Sequence, residues 1–234
     1  MIEINKQTDF LKGSVLLIDK PFEWTSFDVV NRVRILLQKK FSYRWLKVGH
    51  TGTLDPLATG LVILCTGNAN KDITRFLSME KEYIATICLG KSTPSFDLET
   101  EPDQTYPTDH ITHELILKIL PQFEGKIEQV PPIFSAKKLN GKRAYDYARK
   151  GKKIELQPNS VFIREIELME FNKPVVVLRI KCGKGTYIRA LARDFGKALD
   201  SGAHLIALKR LSIGDYKISD ALSMKEFEEK IKLL

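Results

Sequence analysis

The sequence predicts a mixed α/β fold, and three observations carry that expectation. Short apolar runs with strand character recur along the chain, as in SVLLID (residues 14–19), LVILCT (61–66) and VVVLRIKC (175–182). Segments of helical period separate them, the clearest having Val29, Val30, Val33, Leu36 and Leu37 on one stripe. Hydrophobic residues make up 43% of the 234 positions, enough to bury a proper core.

Composition narrows the class. The formal net charge of +8 suits a polyanionic partner such as nucleic acid, although a solvated basic surface has the same signature. The three cysteines, Cys65, Cys88 and Cys182, are far apart and form no CxxC pair, which indicates neither a zinc site nor a disulfide framework and fits a reducing compartment. The first ten residues are polar and mixed in charge, unlike an export signal, and the apolar runs are too short for a membrane span. A soluble, cytoplasmic protein is expected.

In chain order, the strand at 14–19 is ended by Lys20-Pro21, and Thr25 or Ser26 caps the following helix, which closes with Lys39 and Lys40 where cations suit the helix dipole. Next comes KVGHTGTLDPLATG (47–60), with three glycines, one proline and a single carboxylate, Asp55. Glycine permits φ > 0 and proline fixes φ, so this density describes a loop of defined shape that holds one acid ahead of a buried strand. Taken alone, Asp-Pro is most simply a turn. A helix is expected over 70–79, then a strand over 81–89 with Tyr83, Ala85 and Ile87 on one face.

Residues 92–117 hold no Lys or Arg but carry Asp97, Glu99, Glu101, Asp103, Asp109 and Glu114, and the first part reads as a long loop. A helix follows over 113–120. His110 and His113 lack a third ligand at suitable spacing, so no metal is expected. Charge then reverses: Lys137, Lys138, Lys142, Arg143, Arg149, Lys150, Lys152 and Lys153 stand against one acid, Asp146, with Tyr145 and Tyr147 among them. An exposed helix with a cationic face is one reading. An RNA-binding arm over 131–153, with cations for phosphates and aromatics for bases, is the favoured one.

Beyond the arm, residues 160–170 and 175–182 read as paired strands. Gly183-Lys-Gly is not a P-loop, since Leu178 stands where the leading glycine belongs. Thr186, Tyr187 and Arg189 open a helix over 188–199, a strand-like segment runs from 202 through 213, and Ser219 or Asp220 is expected to cap a terminal helix over 224–234.

Several ordered segments supply a reaction. GHTGTLDPLATGLVILCTGNANK (49–71), SVLLIDKP, KEYIATICLG, SAKKLNGKRAYDYARKG, CGKGTYIRALARDFG and GAHLIALKRL together resemble the TruB family of tRNA pseudouridine-55 synthases over nearly the whole chain. The resemblance implies the pseudouridine-synthase α/β fold, a long, mixed, mostly antiparallel sheet with flanking helices and a central cleft. It implies conversion of a T-loop uridine of tRNA to pseudouridine, without metal or cofactor, by a monomer that needs no protein partner. It implies one catalytic domain over 1–234 with the thumb at 131–153, and no C-terminal PUA domain is expected, a departure from larger members of the family.

By that resemblance Asp55 is the nucleophilic aspartate, leaving open attack at C1′, addition at C6 or abstraction of the 2′ proton. Arg189 is its charge partner, which would keep the acid ionised in a dry pocket. Tyr83 stacks on the flipped uracil; a phenol with pKa of about 10 is a poor base at neutral pH, so stacking is the safer role. His50 helps to splay the T-loop, Tyr187 and Leu208 line the uridine pocket, and Lys71 occupies a basic motif position. Lys137 is a departure, standing where an apolar residue is usual at the thumb hinge. The alternatives are the catalytic subunit of a guide-RNA pseudouridylation particle and a non-catalytic RNA chaperone of the same fold.

Overall fold

A computed structural model describes residues 4–5, 7–135, 137–139, 142–148 and 156–234, of which 138, 139, 142, 143, 146 and 148 are described by backbone alone. The chain divides into two compact units, one formed by residues 1–83 and 209–234, the other by residues 84–208.

The first unit contains β1 (Val15–Lys20), α1 (Ser26–Phe41), β2 (Val48–His50), β3 (Ala58–Thr66) and α2 (Ile73–Ser78), and then β4 (Lys81–Leu89) carries the chain into the second. There follow β5 (Lys91–Ser92), β6 (Gln104–Thr105), α3 (His113–Ile119), β7 (Gly125–Gln129), β8 (Lys138–Leu139), β9 (Lys142–Arg143), α4 (Ala144–Ala148), β10 (Asn159–Asn172), β11 (Val175–Cys182) and α5 (Ile188–Ala198). β12 (Ala203–Ile213) returns the chain to the first unit, which ends with β13 (Tyr216–Lys217), β14 (Leu222–Ser223) and α6 (Met224–Leu233). Among the described residues the principal sheet has ten strands and is mostly antiparallel, with helices alongside it, as the resemblance implies.

In the first unit β1 lies antiparallel to β3 from Val15↔Cys65 to Lys20↔Gly60, β2 pairs the far part of β3, and β14 runs parallel to β1. With that parallel pair among antiparallel ones, the sheet is mixed. β3 is buried at eight of its nine positions in the pattern BiBBBBBBB, as a continuous apolar run demands when a strand is covered on both faces. Its Leu61, Ile63 and Cys65 form a core with Phe76 and Ile213. Thr25 caps α1 in a capping box with Asp28, and the stripe Val29, Val30, Val33 and Leu37 is buried. An ion pair, Arg32–Glu228 at 2.7 Å, and a bond from the Lys40 ammonium to Lys232 O join α1 to α6.

In the second unit β10 pairs antiparallel with both β11 and β7. The apolar face of α5 buries Ile188, Leu191, Ala192 and Phe195, with Phe195 edge-on to Phe123.

Four local expectations change. The segment expected as a helix over 70–79 is a 3-10 turn, Gly67–Asp72, followed by α2. Ser223, not Ser219 or Asp220, caps the last helix, because Glu226 three residues on returns the reciprocal bond, while 218–220 form a separate 3-10 turn. Among the described residues of the arm, a small hairpin pairs Lys138↔Arg143 and Leu139↔Lys142 ahead of the short α4, where one reading expected a cationic helix. β7 has no counterpart in the expectations, because GKIEQ offers only Ile127 as an apolar side chain and so shows no alternation.

Candidate active site

The candidate residues occur in both units. In the first, the Asp55 loop leaves β2 and enters β3, and its backbone is fixed at every second carbonyl. Arg210, 1% exposed, donates from Nη2 to Gly52 O (3.2 Å) and from Nε to Leu61 O (2.7 Å). The Ser26 hydroxyl donates to Leu54 O (3.2 Å) and accepts from Leu54 N (2.8 Å). The Lys20 ammonium donates to Pro56 O (3.1 Å), Pro21 O (2.9 Å) and Trp24 O, and the Glu23 N–H adds a second bond to Pro56 O (3.0 Å). Ala58 N closes the turn onto Asp55 O at 3.1 Å. Three segments distant in sequence thus hold residues 52, 54 and 56, so the half-buried Asp55 side chain projects from a rigid frame.

Gly60 makes the frame possible. Its φ is +108°, and a Cβ there would lie 2.3 Å from the Arg210 carbonyl oxygen and 2.6 Å from the Arg210 nitrogen. Only glycine allows this close approach of backbones.

The frame is electrostatically active. Burial pushes the Lys20 ammonium down to about 8, opposed by the negative charges of Asp55, Asp28 and Asp19 and reinforced by Arg210. Burial also lowers His50; the Gly52 backbone offsets this in part and the Arg210 charge adds to it. Among the described residues, His50 Nδ1 and the Thr51 hydroxyl are buried without a hydrogen bond of good geometry.

Tyr83 is buried on β4, 8% exposed, two residues after Lys81, whose ammonium donates to the carbonyls of Phe76, Leu77 and Met79 at the end of α2. Lys71 stands exposed in the 3-10 turn, available to an anionic ligand.

In the second unit, Arg189 is 4% exposed in the first turn of α5. Its Nη1 donates to Ser95 O (3.2 Å) and its Nη2 to Phe134 O (2.9 Å). Nε faces Asp97 Oδ2 at 3.5 Å, a contact of charges longer than a good hydrogen bond. Asp97 is itself fixed, Oδ1 accepting from Glu99 N at 2.9 Å while its carbonyl takes bonds from the Thr93 and Ser95 hydroxyls. Phe96 between them sits at φ +62°, with the Arg193 guanidinium 4.8 Å over its ring. Tyr187 N donates to Gln129 Oε1 (2.8 Å), and Leu208 is buried on β12, 8% exposed.

The arm is described in part. The Lys137 ammonium donates to Gln157 O (2.9 Å) and Asn159 Oδ1 (2.7 Å). Lys138, Lys142 and Arg143 are described by backbone alone, and Arg149, Lys150, Lys152 and Lys153 lie outside the described residues.

Sequence reasoning missed four of these groups. Lys20 and Arg210 carried a signal: each falls on the buried face of its strand by period two, after Leu16 and Ile18 in one case and after Leu208 in the other. A charge in a core register asks for partners. Asp97 was one acid among six in an acid-rich loop, and Gln129 had no local signal at all.

Solved structures resemble this chain in fold. It matches a chain of the Cbf5–Nop10–Gar1 complex with TM-score 0.70 and 26% identity, covering 94% of this chain and 54% of that one. It matches a chain of the archaeal box H/ACA Nop10–Cbf5 complex with TM-score 0.67 and 23% identity, covering 96% and 55%. The chain therefore spans about half the length of those solved chains.

The particular family follows from sequence. The model of the TruB family pseudouridylate synthase N-terminal domain matches residues 37–188, and that of the tRNA pseudouridylate synthase B C-terminal domain matches residues 189–233. The chain belongs to the TruB family of pseudouridylate synthases. Among curated relatives named tRNA pseudouridine synthase B, that of Phocaeicola vulgatus is 57% identical over 94% of both chains. That of Flavobacterium johnsoniae is 49% identical over 96% of this chain and 98% of its own length.

Proposed function

We propose that this enzyme isomerises the uridine at position 55, in the T-loop of tRNA, to pseudouridine, the two units working as one catalytic domain. The N1–C1′ bond breaks, the uracil turns, and a C5–C1′ bond forms while the proton leaves C5 and N1 regains one. Asp55 acts as nucleophile, Arg189 keeps it ionised, and Tyr83 stacks on the flipped base, replacing stacking lost on leaving the RNA loop. His50, Lys71, Tyr187 and Leu208 bind the substrate around them. The arm from 131 to 153 grips phosphates and reads shape rather than bases. No metal or cofactor takes part, and the protein acts as a cytoplasmic monomer.

The observation that carries this reading is the frame around Asp55. A carboxylate whose neighbours at 52, 54 and 56 are pinned by Arg210, Ser26 and Lys20 is built for placement, and a mere surface turn needs no such frame. The relatives' name, tRNA pseudouridine synthase B, supports the substrate class.

The test is position mapping. An unmodified tRNA transcript incubated with the enzyme is treated with carbodiimide and read by primer extension. A single new stop at the T-loop uridine is expected; stops elsewhere, or none, would contradict the assignment.

A further inference from the structure

We infer that Gln129 is a base-recognition residue whose side-chain amide donates a hydrogen bond to a carbonyl oxygen of the target uracil, an inference that rests on the proposed place of Tyr187 in the uridine pocket. Gln129 is the last residue of β7, 1% exposed. A backbone N–H only donates, so the bond from Tyr187 N fixes the orientation of the carboxamide: Oε1 accepts at 2.8 Å and Nε2 must point the other way. Among the described residues, Nε2 is buried and has no hydrogen-bond partner. A buried NH2 without an acceptor bears its full desolvation cost, so such a group calls for a missing acceptor.

Two residues beyond Tyr187, Arg189 brings more donors, and the carbonyls of Ser95 and Phe134 are already taken by its guanidinium. Among the described residues, the Ser135 hydroxyl is a second buried group without a partner, six residues on from Gln129. A neutral ring carrying carbonyl oxygens complements this donor-rich place. Uracil offers O2 and O4, whereas cytosine presents an amino group where uracil has O4. Negative charge accumulates on those oxygens as the glycosidic bond breaks, so a fixed, dry donor stabilises the departing base more than the bound nucleoside.

Two variants and two modified substrates test this. Gln129→Glu keeps an acceptor for Tyr187 N but replaces the NH2 by an oxygen, and Gln129→Met removes both. Single-turnover product formation is measured on a T-arm hairpin carrying uridine, 2-thiouridine or 4-thiouridine at the target. The wild type is expected to slow severalfold with one thio base, and Gln129→Met to lose that difference. Gln129→Glu is expected to fall at least tenfold at pH 8 and to recover in part at pH 6, where a protonated carboxyl again donates. No thio effect in the wild type overturns the inference without recourse to any variant. An undiminished effect in Gln129→Met also overturns it, leaving a buried water as the partner of Nε2. Failure of the wild type on the unmodified hairpin strikes at the proposed function itself.

Discussion

Arg189 Nε and Asp97 Oδ2 lie 3.5 Å apart with both side chains about 5% exposed, a buried ion pair built from the start of α5 and the acid-rich loop. Asp97 is held by Glu99 N, so the pair is fixed from the carboxylate side. Removing that charge takes a carboxylate away from a buried guanidinium. Asp97→Asn is expected to destabilise the protein by about 3 kcal/mol and to lower the single-turnover rate at least tenfold with little change in RNA affinity. Urea denaturation and rapid-quench kinetics check the two halves separately.

Gly60 faces the backbone of Arg210 closely enough that a methyl group has no place. Gly60→Ala should therefore separate β3 from β12 and disturb the frame around Asp55. A loss of about 3 kcal/mol or more is expected, since φ of +108° and a backbone clash act together. The denaturation midpoint measures it, and a shift of under about 0.5 kcal/mol would contradict the role assigned to Gly60.

Lys20 links stability to pH. Its ammonium titrates at about 8 in the folded protein against 10.5 unfolded. Between those values the unfolded chain holds a proton that the folded chain has released, so this group makes stability rise with pH across that window, by up to about 3 kcal/mol. Asp55, Asp28, Asp19 and Arg210 are the charges that act on it. In Lys20→Met this rise is expected to disappear, and the carbonyls of Pro21, Trp24 and Pro56 lose their donor. Denaturation midpoints of both proteins at pH 7.5 and pH 9.5 give the comparison.

Much of the fold was legible because its strands are either continuous apolar runs or clean alternations. β1, β4, β11 and β12 follow from periods that a reader of the sequence can count. β7 was not legible because an edge strand of five residues presents too few buried positions. In the site, the Asp55 loop announces itself by Gly, Pro and one acid. Its clamps do not, because Arg210, Ser26 and Lys20 act through backbone carbonyls far away in sequence. The ion pair of Arg189 with Asp97 lies next to a residue in the left-handed region, Phe96, that no local pattern marks.

The basic arm is expected to bind by charge. Neutralising Lys142, Arg143, Arg149 and Lys150 to Gln together should weaken RNA binding and lower the slope of log affinity against log salt, by about 0.7 to 0.9 for each phosphate left without its cation. Titrations of labelled tRNA at several salt concentrations check this. An unchanged slope would show that these cations do not meet phosphate.

Asp55 is the central residue of the proposed reaction, and the most direct measurement is release of tritium from tRNA labelled at uracil C5, compared between wild type and Asp55→Asn. Full release by wild type and none above background by the variant, with tRNA affinity unchanged, is the predicted result. Equal release by both, or none by either, would contradict the claim that this framed carboxylate performs the isomerisation.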